Sequence, residues 1–276
     1  MSRWILITGC SSGIGFDAAV SLKDRGYNVI ASVKNGADTD ALKERGIQHV
    51  IELDLRDSES ISRSVDYAKE VSDGNISALF NNGAYGQPGA VEDLSRDTLR
   101  AQFETNLFGV QELTNLLLPT FLDQPDARIV NCSSVLGMVA MPFRGAYNAS
   151  KFALEGLTDT LRLELRETSV KVVIIEPGPI LTRFRQNALQ ALEDNIDISA
   201  SRHQLDYEKS LARLKKQGAA MPFTLGPEAV TKKLVRALES NRPKPRYYVT
   251  VPTYFMALCR RILSNRMLDN LLARSR

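Results

Sequence analysis

Cysteine is scarce in this 276-residue chain. The three present, Cys10, Cys132 and Cys259, are scattered and odd in number, which argues against a disulfide framework and for a reducing compartment. Histidine is scarcer still. His49 and His203 have no metal-ligand spacing around them, so no metal site is expected. No run of about 18 apolar residues occurs, which excludes a membrane-spanning helix. Net charge is only +3 at pH 7, too small by itself to point to a nucleic-acid partner. No internal repeat or low-complexity linker separates a second domain. No secretory apolar region precedes the first strand, so a cytoplasmic location is expected.

What is present suits one large soluble α/β domain: 43% hydrophobic and 24% charged residues. The run Trp4-Ile5-Leu6-Ile7 reads as a buried strand. It enters a turn with Gly9, Ser11, Ser12, Gly13, Ile14 and Gly15, then a helical pattern over residues 16–25 that stops at Gly26. A second strand spans 27–33. Glycines in a strand-to-helix turn let a pyrophosphate approach the backbone, and the helix start offers free N–H groups and a positive dipole end. Further strands are expected at 49–53, 78–80, 128–132 and 170–175. Helices are expected at 39–45, 58–71 (capped by Ser58), 98–121 (broken by Gly109 and Pro119) and 147–168. This alternation predicts a doubly wound, Rossmann-type parallel sheet with helices on both faces and ligands at the strands' carboxyl ends.

The residue at the end of the second strand touches the adenosine ribose in such folds, and a carboxylate there favours NAD. This chain has Val33 and then Lys34, which would attract a 2′-phosphate, so NADP(H) is the expected cofactor. Tyr147 and Lys151 are spaced i, i+4 at a helix start, so phenol and ammonium share a face. A nearby cation favours the phenolate and lowers a phenol's pKa from its ordinary value near ~10, giving a general acid for carbonyl reduction or a base for alcohol oxidation. The strand ending Cys132-Ser133-Ser134 brings a hydroxyl to the same sheet edge. Asn106 is a poor helix-interior residue, which predicts a local bend or an ordered water.

Together, Thr8-Gly9-x-x-x-Gly13-x-Gly15, Ser134, Tyr-x-x-x-Lys at 147–151 and the Asn81-Asn82-Gly83-Ala84 run resemble the short-chain dehydrogenase/reductase family in its single-domain form. The resemblance covers about residues 3–183 and is nearest the retinol and 17β-hydroxysteroid dehydrogenase branch with related bacterial aldehyde reductases. It implies a tetrad of Asn106, Ser134, Tyr147 and Lys151, in which Ser134 binds the substrate oxygen and Asn106 holds a water leading to Lys151. Ser133 is expected to be a structural hydrogen-bonder. The resemblance also places Asp54 and Leu55 against adenine and Asn81, Asn82 and Gly83 beside the cofactor, although the usual order is Asn-Asn-Ala-Gly. Pro177, Gly178, Ile180 and Thr182 would hold the nicotinamide, with Gly178 permitting close approach to a ring. It further implies a dimer or tetramer.

The expected catalytic domain spans 1–250, with a substrate lid at 183–221. Leucines scattered through that lid, with Met138, Met141 and Phe143 near the site, favour a hydrophobic aldehyde or ketone. A helical hairpin simply packed on the body fits the same pattern. Residues 251–276 read as a basic amphipathic helix, with Arg260, Arg261, Arg266, Arg274 and Arg276 outweighing Asp269. Such a helix lies in a membrane interface, packs on a partner subunit or closes over its own cleft. The leading expectation is an NADPH-dependent carbonyl reductase. A non-catalytic NADP-binding sensor, and an epimerase or dehydratase using the same pair, stand beside it.

Overall fold

The computed structural model describes residues 3–216, 218–219 and 221–273. Seven strands form one parallel sheet: β1 (Trp4–Ile7), β2 (Asn28–Val33), β3 (His49–Glu52), β4 (Ile76–Asn81), β5 (Ala127–Cys132), β6 (Val170–Glu176) and β7 (Arg246–Tyr248). Their order is β3-β2-β1-β4-β5-β6-β7. The chain winds one way from β1 to β3 and the other way from β4 onward, so the loops after β1 and β4 part there and open a crevice at the carboxyl edge.

Eleven α-helices cover the faces among the described residues: α1 (Gly13–Asp24), α2 (Asp40–Glu44), α3 (Ser58–Val71), α4 (Arg96–Phe103), α5 (Gly109–Leu122), α6 (Gly145–Glu164), α7 (Phe184–Asn195), α8 (Gln204–Lys215), α9 (Glu228–Glu239), α10 (Val251–Ile262) and α11 (Asn265–Ala273). Period-2 alternation sends Ile5 and Ile7 toward α1 and α9, where they meet Ala18, Leu22, Leu234 and Leu238. Leu6 and Leu79 face the other way, toward Ile61, Leu113 and Leu154 of α3, α5 and α6. These strand residues are essentially inaccessible to water, each contributing about 1.5–3 kcal/mol of burial.

Local chemistry corrects several expected boundaries. Helix α1 begins at Gly13, three residues before the apolar pattern, because the glycines are part of the turn that starts it. Asp57, not Ser58, caps α3 by accepting from the Glu59 N–H at 3.0 Å; Ser58 donates instead to Glu112. The helix expected over 98–121 is α4 and α5 joined by a π-helical stretch, Glu104–Phe108. Gly109 does not break it: its missing Cβ lets α5 press directly on the Leu55 carbonyl. Pro119 is tolerated inside α5.

The tail is two helices rather than one, because the chain turns at Leu263-Ser264. Cys259, Leu268 and Leu272 bury against Leu136 and Val139, just past Ser134. One face of the tail therefore closes over the protein's own cleft wall. The opposite face of α10 leaves Tyr254, Phe255, Leu258 and Ile262 at least half exposed. Arg274 and Arg276 lie outside the described residues.

Candidate active site

The turn after β1 is built by backbone contact. Gly9 (φ +72°) and Gly13 (φ +58°) adopt left-handed conformations that disfavour side chains. A Cβ on Gly15 would lie 2.2 Å from the Gly9 carbonyl oxygen, and one on Gly9 would lie 2.7 Å from Gly83 Cα. The Thr8 hydroxyl accepts from both the Asn82 and Gly83 N–H groups, and the Asn82 side chain donates to the Thr8 and Gly9 carbonyls. Asn82 and Gly83 thus brace the turn. Asn81 points inward, donating to Thr114 and Asn131. Ser12 makes no side-chain cap at the start of α1, so the first N–H groups of that helix face the crevice without a capping acceptor, as an anion site requires. Ser11, Ser12 and Ile14 are partly exposed there. The turn fits a dinucleotide pyrophosphate.

Ser134, Tyr147 and Lys151 converge at the same edge. Ser134 ends β5, where its hydroxyl caps a short 3-10 turn by accepting from Leu136 N–H at 3.1 Å. Tyr147 lies in the first turn of α6 and packs edge-on against Phe184, 5.4 Å between ring centres. Lys151 is 3% exposed and donates to the Cys132 carbonyl at 2.8 Å; its ammonium lies 5.8 Å from the Tyr147 ring centre. Burial raises the phenol above its ordinary value, and a hydrogen-bond contact with Ser134 only partly opposes this. The expected lowering by Lys151 is therefore not realised in the protein alone, because the ammonium is turned to a carbonyl rather than to the phenol. Burial also lowers Lys151 itself, against the pull of Cys132 and Glu155.

Asn106 sits in the π-helical stretch and is fully buried. Its amide accepts from Tyr85 N–H at 3.1 Å and donates to the Tyr85 carbonyl at 2.9 Å and to Ser150 at 3.2 Å. Ser150 in turn donates to the Tyr147 carbonyl. The bend expected at this Asn clamps the loop after β4 to the Tyr147 helix.

At the far end of the crevice, Lys34 follows β2 and Asp54 follows β3. Their side chains are 4.0 Å apart. Arg56, which belongs to no motif read in the sequence, forks onto Asp54 at 2.6–3.2 Å. Asp54 is held below the usual carboxylate range chiefly by that fork. Two cations share one carboxylate here, leaving net positive charge beside Leu55, whose side chain approaches Gly83.

The loop after β6 crosses above Gly13, whose Cβ would lie 2.9 Å from Thr182 Cγ2. Gly178 is packed against Thr250 and Thr253: a Cβ there would lie 2.1 Å from the Thr250 hydroxyl and 2.7 Å from that of Thr253. Pro177 accepts from Val135 N–H. Beyond Ile180, Leu181 N–H donates to the Leu225 carbonyl and Leu225 N–H donates to the Pro179 carbonyl. Both ends of the excursion carrying α7 and α8 are thereby fastened at one point. Within it Leu192, Ile196 and Leu214 form a small core with Ala90 and Tyr207, and Leu189 and Leu214 also border a cavity. That cavity, of about 710 Å³, lies between Ser12, Gly13, Thr182 and the cations Arg183 and Arg185.

Comparison with known proteins agrees with this geometry. The sequence model of the family described as short chain dehydrogenase matches residues 3–193. An uncharacterized oxidoreductase, YbbO of Escherichia coli, is 40% identical over 99% of this chain and 94% of its own length. The 17-beta-hydroxysteroid dehydrogenase type 1 of Homo sapiens is 30% identical over 89% of this chain and 77% of its own. An NADPH-dependent 3-dehydrocapnine reductase of Ornithobacterium rhinotracheale is 29% identical over 98% and 95%. Among solved structures, a short chain dehydrogenase/reductase of Burkholderia phymatum in complex with NAD superposes with a TM-score of 0.79 at 26% identity, covering 99% of this chain and 95% of that one.

Proposed function

Because the chain belongs to the short-chain dehydrogenase/reductase family, an oxidoreductase family whose members carry NAD or NADP, we propose that it reduces a hydrophobic aldehyde or ketone with NADPH, reversibly. The observation that carries this reading is the convergence of Ser134, Tyr147 and Lys151 beside the glycine turn. A bound nicotinamide supplies the hydride. Tyr147 gives its proton to the carbonyl oxygen, while the Ser134 hydroxyl donates a hydrogen bond to the same atom and stabilises its developing charge. Lys151 then returns a proton toward the phenol. The loop at 177–182 is the natural holder of the nicotinamide carboxamide, through the backbone near Ile180 and the Thr182 hydroxyl. Tyr147→Phe is expected to lower turnover at least ~100-fold while NADPH still binds; normal turnover refutes the mechanism.

Lys34 and Arg56 support NADP(H) over NAD(H), since both cations can reach a 2′-phosphate while Asp54 is already neutralised. Phe184 against Tyr147, and the hydroxysteroid named for the 17-beta-hydroxysteroid dehydrogenase relative, support a lipophilic ketone or aldehyde. Exposed Phe108, Leu116, Phe152 and Leu163 on and beside α5 and α6 support a homodimer or tetramer. The outer face of α10, with exposed Arg260, Arg261 and Arg266, supports peripheral contact with an anionic membrane. Flotation on anionic vesicles, lost on truncation at Tyr254, is the expected result; equal flotation excludes the tail as anchor. Three unpaired, buried cysteines suit a cytoplasmic location.

A further inference from the structure

Behind the site lies a buried charge cluster that the mechanism above leaves unused. Glu155 follows Lys151 by one helical turn on α6 and is 7% exposed. Arg246 on β7 contacts Glu155, reaches Glu176 at 2.7 Å and reaches Asp159 at 2.5 Å. Glu176 is the last residue of β6, fully buried, and immediately precedes Pro177. A single guanidinium therefore ties the Tyr147 helix to the loop that closes over Gly13. The Ser133 hydroxyl and Glu155 Oε1 face the same space around Gly137, and neither has a hydrogen-bond partner of normal geometry. The second oxygen of Glu176 is likewise unpartnered.

Three carboxylates surround Arg246, and Asp159 is further paired with Arg162 at 2.8 Å. Asp159 stays ionised, held below the ordinary range by its two arginines against the effect of burial. Glu176 is pushed up to about 8 by burial and then by the charge on Glu155 beside it, so it keeps its proton at neutral pH. Burial raises Glu155 as well, opposed by Ser133 and by the Arg246 guanidinium in contact with it. The groups facing Lys151 are Cys132 from β5, with Tyr147 and Glu155 from its own helix. Cys132 is pushed up to about 11, principally by burial, and stays neutral. Tyr248 also feels the cluster, from β7.

We infer that Glu155 is a positioning residue for the reaction: its carboxylate, clamped by Arg246, is the buried counter-charge of the Lys151 ammonium. A buried ammonium without a counter-charge releases its proton readily. Glu155 thus keeps Lys151 charged and, through Arg246, fixes the helix bearing it relative to the loop at 177–182. This inference rests on the reading of Lys151 as the partner of Tyr147.

The test is the pH profile of kcat/KM for NADPH-dependent carbonyl reduction in Glu155→Gln, with NADPH affinity and thermal midpoint measured alongside. Removing a negative charge favours deprotonation of Lys151 and Tyr147 alike. The basic limb is expected to move about one unit to lower pH, so that activity above it falls about tenfold, while the acid plateau stays within about twofold. Glu155→Asp, which keeps the charge but draws it back, is expected to move the limb less than half as far. If E155Q does not fold, the limb of E155D alone decides: displacement to lower pH supports the inference, and an unmoved limb overturns it. An E155Q profile lowered equally at all pH, with the limb in place, reduces Glu155 to a structural role and also overturns it. Lys151→Met separates the two readings. Turnover retained in K151M removes Lys151 from the mechanism, whereas an inactive K151M with an unmoved E155Q limb removes only Glu155.

Discussion

Thr182 rests directly on Gly13: a Cβ placed on Gly13 would lie 2.9 Å from Thr182 Cγ2. One contact joins the glycine turn after β1 to the loop after β6. Gly13→Ala both fills this contact and strains a left-handed backbone (φ +58°), at about 1–2 kcal/mol for the conformation alone. NADPH affinity measured by fluorescence titration is expected to drop at least ~10-fold. The thermal midpoint should fall only by several degrees. An unchanged dissociation constant would show that the turn does not bind the cofactor.

On the proposed reading, Arg56 and Lys34 address the cofactor's 2′-phosphate, not its ring. Arg56→Ala and Lys34→Ala should each weaken NADPH about 10-fold and leave NADH nearly unchanged, since a charge-assisted hydrogen bond contributes about 1.5–3 kcal/mol. The selectivity ratio of the two coenzymes is the readout. Equal losses for both would move these cations out of the 2′-phosphate site.

Asn106→Ala removes three hydrogen bonds from a buried position and leaves the Tyr85 N–H without its partner, while the Tyr85 carbonyl keeps the Gln102 side chain. The cost is about 1–3 kcal/mol in stability by chemical denaturation. Turnover should fall further than folding does, because the loop at 82–87 loses its tie to the Tyr147 helix. Asn106→Asp restores acceptance from Tyr85 N–H but not donation to its carbonyl, so it should recover only part of the loss.

Glu176 makes stability fall on the alkaline side. An ordinary glutamate titrates near 4.5, whereas this one is pushed up to about 8. The folded state binds its proton more tightly than the unfolded state does, so the benefit is complete below about 4.5 and is lost as pH rises through about 8. Urea denaturation at pH 6 and pH 8.5 should show wild type losing stability between the two and Glu176→Gln losing less. Parallel curves would contradict this.

Leu268 and Leu272 pack on Leu136 and Val139, beside the site. Leu268→Ala is expected to cost about 2–4 kcal/mol by denaturation and to disturb activity, since Tyr147 borders the same cluster. A variant with wild-type stability would return the tail to the surface.

The elements legible in the sequence were those with strong local signals. The β-branched run at 4–7, the glycines and the i, i+4 pair at Tyr147 and Lys151 each declare their geometry without help from distant residues. The elements that escaped depend on tertiary contact. β7 has three residues and alternates too briefly to register, yet it delivers Arg246. Arg56 looks like any loop cation until β3 lies beside β2 and Asp54 meets Lys34. The packing of Gly178 on Thr250 and Thr253 could not be read locally, because those residues lie some seventy positions away in the chain. The leucines of 183–221 were visible in the sequence, but which of them face one another follows only from the fold of α7 on α8.

The double bridge between Pro179, Leu181 and Leu225 has an engineering consequence. A segment anchored at a single hinge point behaves as a replaceable cassette, and its exchange leaves the sheet's hydrogen bonds untouched. Replacing residues 183–224 between those anchors is thus expected to leave Ser134, Tyr147, Lys151 and the loop at 177–182 in place.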